Sequence, residues 1–377
     1  VVFCYLTAYY PVKLFSALPV LILWSLAPFF SWWISLPIEK KEAQLIASEI
    51  FFLHLLSRKI WHFFEIFVGE EDNWLPPDNY QEQPVERIAH RTSPTNIGLY
   101  LLSGLSAYDF RYITAGQFIE RVTNTLVTMQ GMEKYHGHLY NWYDTVSLKP
   151  LHPRYISTVD SGNLVGHLLT LKQGLLSIRN DKIIHLNIFD GIRDTLGILN
   201  EKSSSNKEVQ DFLQEMIGIS ESKPKGLVAF KDLLDEVQLS AAKMVAALNP
   251  APDTEIEEWT EKLNHQFTNI NHELSAYLPW LLMPVPEKFA HAFSLVAEMP
   301  TFQELAKIEQ YLLPGINRYY PPANSKEENE LLDTFRVVLE QGNQRAKEFR
   351  LMTDALSREC REPSTVGFDF CFYVYHN

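Results

Sequence analysis

From Leu14 to Ile38 the chain has no charged side chain, a run of 25 residues dominated by Leu, Ile, Val, Phe and Trp. About 20 consecutive apolar residues in a helix span the hydrocarbon core of a bilayer, so this run predicts a membrane segment over residues 1–42. Tyr9, Tyr10, Trp32 and Trp33 suit the headgroup region. Lys13 and Glu39-Lys40-Lys41-Glu42 mark the borders, and Pro19 and Pro28 are expected to bend the helix. The competing reading is a pair of buried or interfacial helices broken at Pro28. A secretory signal fits poorly, because the run is long and no small-residue cleavage site follows it.

The remaining chain supports a globular core. The whole chain has 377 residues, 46% of them hydrophobic, enough for one large domain or two ordinary ones. Its formal charge of −13, with no long basic run, repels a nucleic-acid backbone, so nucleic acid is excluded as a partner. Cys4, Cys360 and Cys371 form neither a disulfide framework nor a zinc knuckle. His136 and His138 lie in a glycine-containing loop without the helical spacing of a metalloenzyme motif, so no metal site is expected. Phosphate-cradling and dinucleotide glycine motifs are missing from the sequence as well.

Both termini read as interrupted. The chain opens on Val1-Val2 without an initiator methionine. It closes on Phe368-Asp369-Phe370-Cys371-Phe372-Tyr373-Val374-Tyr375, an aromatic, β-prone string with no partner element and an aggregation liability if exposed.

Between them the pattern is helical. Ile46, Ile50, Leu53, Leu56, Ile60, Phe63 and Phe67 recur at spacings of three and four, which predicts one apolar helix face. Ser93-Pro94 reads as a cap and first turn, followed by Ile97, Leu101, Leu102 and Leu105. Thr114-x-x-Gln117 reads as a capping box ahead of Phe118, Val122, Leu126 and Met129. Ser161 is expected to cap a helix carrying Leu164, Val165, Leu168, Leu169 and Leu175. Further helices are expected near 188–199, 206–218, 225–248, 254–281, 286–313 and 326–360, with turns at Asn249-Pro250, Met283-Pro284 and Pro314-Gly315. Strand signals are confined to Lys182–Leu186 and the C-terminal string, and 201–225 reads as polar and exposed. The predicted class is all-α, with residues 43–377 forming an incomplete α/α toroid whose long loops make a mouth at one end. A solenoid is the weaker alternative, since no repeat is legible.

Three loops stand out by chemistry: Asn73-Trp74-Leu75-Pro76-Pro77-Asp78-Asn79-Tyr80, Gly137-His138-Leu139-Tyr140-Asn141-Trp142-Tyr143-Asp144 and Ser157-Thr158-Val159-Asp160-Ser161-Gly162-Asn163. A pyranose ring has a C–H face that packs on Trp or Tyr and a rim of hydroxyls that short acids, amides and alcohols satisfy. The candidate substrate-binding residues are Trp74, Asp78, Asn79, Arg91, Asn96, Tyr140, Asn141, Trp142, Tyr143, Asp144, Asp160, Ser161 and Asn163. Glycoside chemistry uses two carboxylates, and Asp72, Asp78, Asp144 and Asp160 are in or beside these loops, although aspartates next to Asn, Gly, Ser and Pro commonly make turns and caps. Arg91 either clamps a ligand or pairs with Asp78 or Glu82. Trp74, Tyr140, Trp142 and Tyr143 either stack on sugar or pack beneath the mouth. The residues alone do not identify a catalytic pair.

Glu71-Asp72-Asn73-Trp74-Leu75-Pro76-Pro77-Asp78-Asn79, His90-Arg91-Thr92-Ser93-Pro94-Thr95-Asn96-Ile97-Gly98-Leu99-Tyr100 and the second and third loops together resemble the central region of cyclic β-1,2-glucan synthases. The resemblance covers about residues 20–370, with fewer diagnostic motifs over 180–360. It implies a large bacterial inner-membrane protein whose α/α-barrel domain binds linear β-1,2-glucan on the cytoplasmic side and closes it into rings by retaining transglycosylation. The product serves in the periplasm in osmotic adaptation and host interaction. Implied partners are β-1,2-glucan, membrane lipid and the missing regions of the full-length synthase. No cofactor is expected in this segment; UDP-glucose is implied only for the glycosyltransferase region that the sequence lacks. Other departures from the family are the missing phosphorylase-like part, most membrane helices and the second half of the barrel, where family members carry glutamate motifs expected to supply catalysis. A membrane-tethered, catalytically inactive glucan-binding remnant and a β-glucan hydrolase are the alternatives.

Overall fold

A computed structural model describes residues 2–36, 45–204, 206–221, 224, 226–249, 254–283, 296–310 and 325–360. The helices are α1 (Val2–Tyr9), α2 (Pro11–Ser35), α3 (Ala47–Phe67), α4 (Pro94–Asp109), α5 (Ala115–Gly131), α6 (Thr158–Ser177), α7 (Ile188–Lys202), α8 (Lys207–Glu221), α9 (Leu227–Leu248), α10 (Glu255–Tyr277), α11 (Phe302–Leu305) and α12 (Lys326–Glu359). Strands among the described residues are three two-residue antiparallel pairs. They are β1 (Tyr80–Gln81) with β2 (Arg87–Ile88), β3 (Arg91–Thr92) with β6 (Tyr143–Asp144), and β4 (Lys134–Tyr135) with β5 (His138–Leu139). The protein is all-α.

The chain divides into two compact units, Val1–Ile50 and Phe51–Asn377. In the first, α2 runs through Pro19 and Pro28 without interruption, so two helices broken at Pro28 do not form. Its stretch Phe15–Ser35 is long and apolar enough to cross a membrane, with a mean hydropathy of 1.7 and none of it buried.

In the second unit, α4 packs along α6, α7 against α8 and α10, and α12 against α6 and α11. Two glycines let α4 and α6 approach closely. A Cβ on Gly98 would lie 2.3 Å from His167 Nδ1, and one on Gly174 would lie 2.6 Å from a Leu105 methyl. The caps form as the sequence predicts. Ser93 Oγ accepts from Asn96 N–H at 3.2 Å, and Thr114 and Gln117 form the reciprocal capping box of α5. Phe118, Val122, Leu126 and Met129 are all buried.

Several expectations are corrected. The apolar face expected of α3 faces outward, with Leu53, Leu56 and Ile60 exposed, while Leu55, Arg58 and Trp61 are buried. The reason is a buried cation. Arg58 donates to Thr195 Oγ1 (2.9 Å) and to Glu65 (3.1 Å) and lies over the rings of Trp259 and Tyr112. Sequence periodicity reads this polar but fully buried residue as surface. The cap of α6 is Ser157, whose Oγ accepts from Asp160 N–H at 3.1 Å, and Ser161 is buried in the first turn. Lys182–Leu186 forms no strand beyond a single bridge from Lys182 to Thr301. Within 201–225, α8 buries Val209, Phe212 and Met216 against its neighbours, so this stretch is amphipathic rather than wholly exposed. Residues 296–301 are not helical, so a single helix over 286–313 is not what the described residues form. Pro314-Gly315 and the C-terminal string lie outside the described residues.

Two outcomes test this packing. A Cβ on Gly191 would sit 2.4 Å from the backbone oxygen of Arg111, so Gly191→Ala should cost about 1–3 kcal/mol in urea unfolding through overpacking. Burial alone would raise the Glu65 carboxyl, but Arg58, a hydrogen bond from His62 and Lys262 hold it down at about 2. A depressed carboxylate contributes stability above its unfolded value of 4.5, and that contribution is lost as pH falls from 4.5 through about 2. The deficit of Glu65→Gln in urea midpoint should therefore be full at pH 7 and shrink towards pH 2.

Candidate functional site

The amino termini of α4 and α6 meet on one face, joined by side chains from their first turns. Thr95 Oγ1 donates to Asp160 Oδ1 at 2.6 Å, and Asn163 Nδ2 donates to Thr95 Oγ1 at 3.2 Å. Two helix amino termini present partial positive charge, which favours carboxylates such as Asp160 in the first turn.

The first loop enters from below. After a short 3-10 turn (Glu70–Asp72), Asn73 and Trp74 both take left-handed backbone conformations, with φ of 53° and 60°. Thr128 Oγ1 donates to the Asn73 carbonyl (2.8 Å) and Thr125 Oγ1 to that of Trp74 (2.9 Å), which ties the turn to α5. Pro76 and Pro77 are buried, and the chain emerges at Asp78. There Arg91 donates through Nε (3.1 Å) and a terminal nitrogen (2.8 Å) to Asp78 Oδ2, and Asn96 Nδ2 donates to Asp78 Oδ1 at 3.3 Å. Asn79 adds a bond to Asp78 Oδ2 at 3.1 Å. Of the two readings for Arg91, the Asp78 pair is present.

The second loop is joined to this group by stacking. The Arg91 guanidinium lies over the Trp142 ring, 4.9 Å from its centroid. In the amide orientation that satisfies its neighbours, Asn141 accepts from the Trp142 indole N–H and the Tyr155 hydroxyl, both at 2.6 Å. The same amide donates to Asp160 Oδ2 at 3.0 Å. Asp78, Arg91, Trp142, Asn141, Asp160, Thr95 and Asn163 thus form one continuous circuit with Asn79 and Asn96 attached. Arg91, Asn79 and Asn163 are exposed, so the circuit opens to solvent.

Other candidates hold the platform up. Tyr143 is completely buried, its hydroxyl donating to the Glu133 carbonyl (2.6 Å) and accepting from Tyr140 N–H (2.8 Å), so it packs beneath the face rather than on it. Asp144 Oδ1 accepts from Ser147 N–H and Oγ, both at 2.7 Å, and these bonds lower its pKa. It makes a turn. Ser161 Oγ sits 3.2 Å from His138 Nδ1, locking the second loop to α6. Tyr140 is half-buried beside Arg154, and Trp74 lies near Arg121.

Sequence reasoning passed over Thr95, which lay within a singled-out string, and Tyr155, in the Pro150–Tyr155 stretch. It also gave no role to the Asp72 clasp. Asp72 Oδ1 is bonded to Thr145 Oγ1 and lies 2.8 Å from His90 Nδ1, fixing the second loop against the first. A histidine and a threonine 18 and 73 residues away leave no local signature.

Fold and site together define an α-helical domain that presents a polar and aromatic loop face at paired helix amino termini. No protein-family model matches the chain. A cyclic beta-(1,2)-glucan synthase, NdvB of Rhizobium meliloti (strain 1021), is 44% identical to it over 190 residues, 50% of this chain. The match spans 7% of that protein's length. Over this segment the chain is similar to that synthase, of which it spans only a small part.

The Asn141–Asp160 bond makes a direct test of the circuit. Asn141→Ala and Asp160→Ala should show a coupling of about 0.5–3 kcal/mol in a double-mutant cycle of urea unfolding, whereas strict additivity would mean the two do not interact.

Proposed function

We propose that the chain is part of a membrane-anchored cyclic β-1,2-glucan synthase, and that its loop face binds linear β-1,2-glucan for retaining transglycosylation into rings. In this reading residues 1–42 anchor the protein in the bacterial inner membrane. Residues 43–377 form part of an α/α toroid on the cytoplasmic side. The observation that carries it is the circuit running from Asp78 through Arg91, Trp142, Asn141 and Asp160 to Thr95. Its apolar element for the C–H face of a glucose ring is the half-buried Trp142, one face of which carries the Arg91 guanidinium. Around that indole stand carboxylates and amides able to hydrogen-bond an equatorial hydroxyl rim.

The chemistry assigned to this face is binding and orientation. Arg91 is held flat by Asp78 on one side and Trp142 beneath it, so a sugar hydroxyl meets donors whose entropy is already lost. Asp160 takes one donor on each carboxylate oxygen, Thr95 and Asn141, and keeps further lone pairs for hydroxyl donors. The catalytic carboxylates are unassigned. The second reading is a tethered glucan-binding segment without turnover, favoured by Asp72 and Asp144 being engaged in a clasp and a turn.

Incubation of the full chain with linear β-1,2-glucan separates the readings. Rings mean transglycosylation, short linear products mean hydrolysis, and retention without new products means binding alone. Arg91→Ala and Trp142→Ala should each weaken retention on a β-1,2-glucan matrix by about tenfold or more, about 1.4 kcal/mol. Loss of the exposed Arg91–Asp78 pair should change folding stability by less than about 1 kcal/mol. Unchanged retention in both variants overturns the binding assignment.

A further inference from the structure

A concavity lies among α5, α10 and α12. It is an open cleft of about 970 Å³, lined by residues of all three helices including Glu120, Asn124, Asn269, Glu273, Arg345 and Phe349. That volume is at the upper end of the ~300–1,000 Å³ range of small-molecule sites. The cleft follows the amino-terminal half of α5. The loop turn at Asn73–Trp74 is tied to Thr125 and Thr128 near the other end of the same helix. The cleft lining on α5 ends at Asn124, and none of Asp78, Arg91, Asn141, Trp142 or Asp160 is part of it, so the cleft and the loop face share no residue of the circuit.

At its inner wall Glu273 is 4% exposed. Its Oε2 accepts from Gly116 N–H at 3.2 Å, beside the amino terminus of α5, while Oε1 has no hydrogen-bond partner among the described residues. A fully desolvated carboxyl oxygen without a partner is costly, and a turn of the carboxyl into the cleft to meet a ligand hydroxyl relieves it. Burial pushes this carboxyl up to about 7, against the opposing pull of the Thr114 hydroxyl, the Gly116 and Ala115 amides and Arg111. Near neutrality it therefore exists in both forms, one accepting from a hydroxyl and the other donating to it.

The remaining lining selects the ligand class. Glu120 and Glu348, with the partly ionised Glu273, outweigh Arg345, which disfavours an anion. Thr123, Asn124, Thr268 and Asn269 supply short hydroxyls and amides, and Ile119, Tyr277, Phe349 and Met352 supply apolar wall. We propose that this cleft is a second binding site, taking an uncharged polyhydroxylated ligand of the saccharide class, with Glu273 hydrogen-bonded to one of its hydroxyls. The choice of a β-1,2-linked probe rests on the glucan reading above; the site itself does not.

Hydrogen–deuterium exchange of the full chain with and without the β-1,2-linked glucose disaccharide tests it. Binding should slow exchange in residues 114–124 and 266–277. Ala276→Trp, which fills the cleft, should weaken that protection at least about tenfold, and Arg91→Ala should leave it intact. Asn269→Trp at the same wall serves if the first variant does not fold. Glu273→Gln should weaken it several-fold while keeping the cap on α5. Protection at the loop face with none along the cleft overturns this site and leaves the glucan reading standing. Cleft protection with none at the loop face does the reverse. Cleft protection unchanged in the filled variant also overturns the proposal.

Discussion

The close packing of α4 on α6 governs the rest of this molecule. Gly98 and Gly174 admit His167 and Leu105 where a methyl would intrude, so the two axes come near enough for first-turn side chains to bond directly. Thr95 then reaches Asp160, and Asn163 reaches Thr95. Everything exposed at the loop face hangs from that contact, because Asp160 is also the anchor for Asn141 and, through it, for Trp142 and Arg91. A small increase in interhelical distance would leave the surface residues in place but disconnect them.

Buried charge is handled in two different ways in the second unit. Arg58 is surrounded: a carboxylate, a hydroxyl and two aromatic faces neutralise and solvate it, and Glu65 stays ionised far below the ordinary range. Asp194 has a similar setting, with His54 at 2.8 Å and the Tyr112 hydroxyl at 3.0 Å, although burial raises its pKa. Glu273 keeps one oxygen without a hydrogen-bond partner among the described residues, as do Asp194 at Oδ1 and Arg58 at Nη1, and differs from them in lining an open cleft. An unsatisfied group sealed inside a core has nothing to meet, whereas one beside an open cleft is a place where something can bind.

Much of this architecture could be read from residue order, where the physics was local. Caps at Ser93 and Thr114 and the apolar stripe of α5 form as the sequence implies, because each depends on residues three or four apart. The all-α class follows from the same periodicity. Failures arose where a distant partner reversed local logic. Arg58 turned α3 over by finding Thr195, Trp259 and Tyr112, and Pro300 with Thr301 replaced a continuous helix by a bend and a new start at Phe302. At the site, the choice between Arg91 pairing inward and standing free was open in the sequence and was decided by Asp78 across a loop of a dozen residues. Tyr143 and Trp142 are neighbours in sequence, yet register against β3 sends the first into the core.

The paired left-handed residues at Asn73 and Trp74 carry an implication for how this face ages under mutation. Asparagine tolerates that conformation, but for a bulky indole it costs on the order of 1–3 kcal/mol, held in place by bonds from the Thr125 and Thr128 hydroxyls and by the Asn73 amide donating to the Thr145 carbonyl. Glycine at position 74 relaxes the backbone but removes the half-buried ring beside Arg121, so relief of strain at this turn is set against packing beneath the loop face.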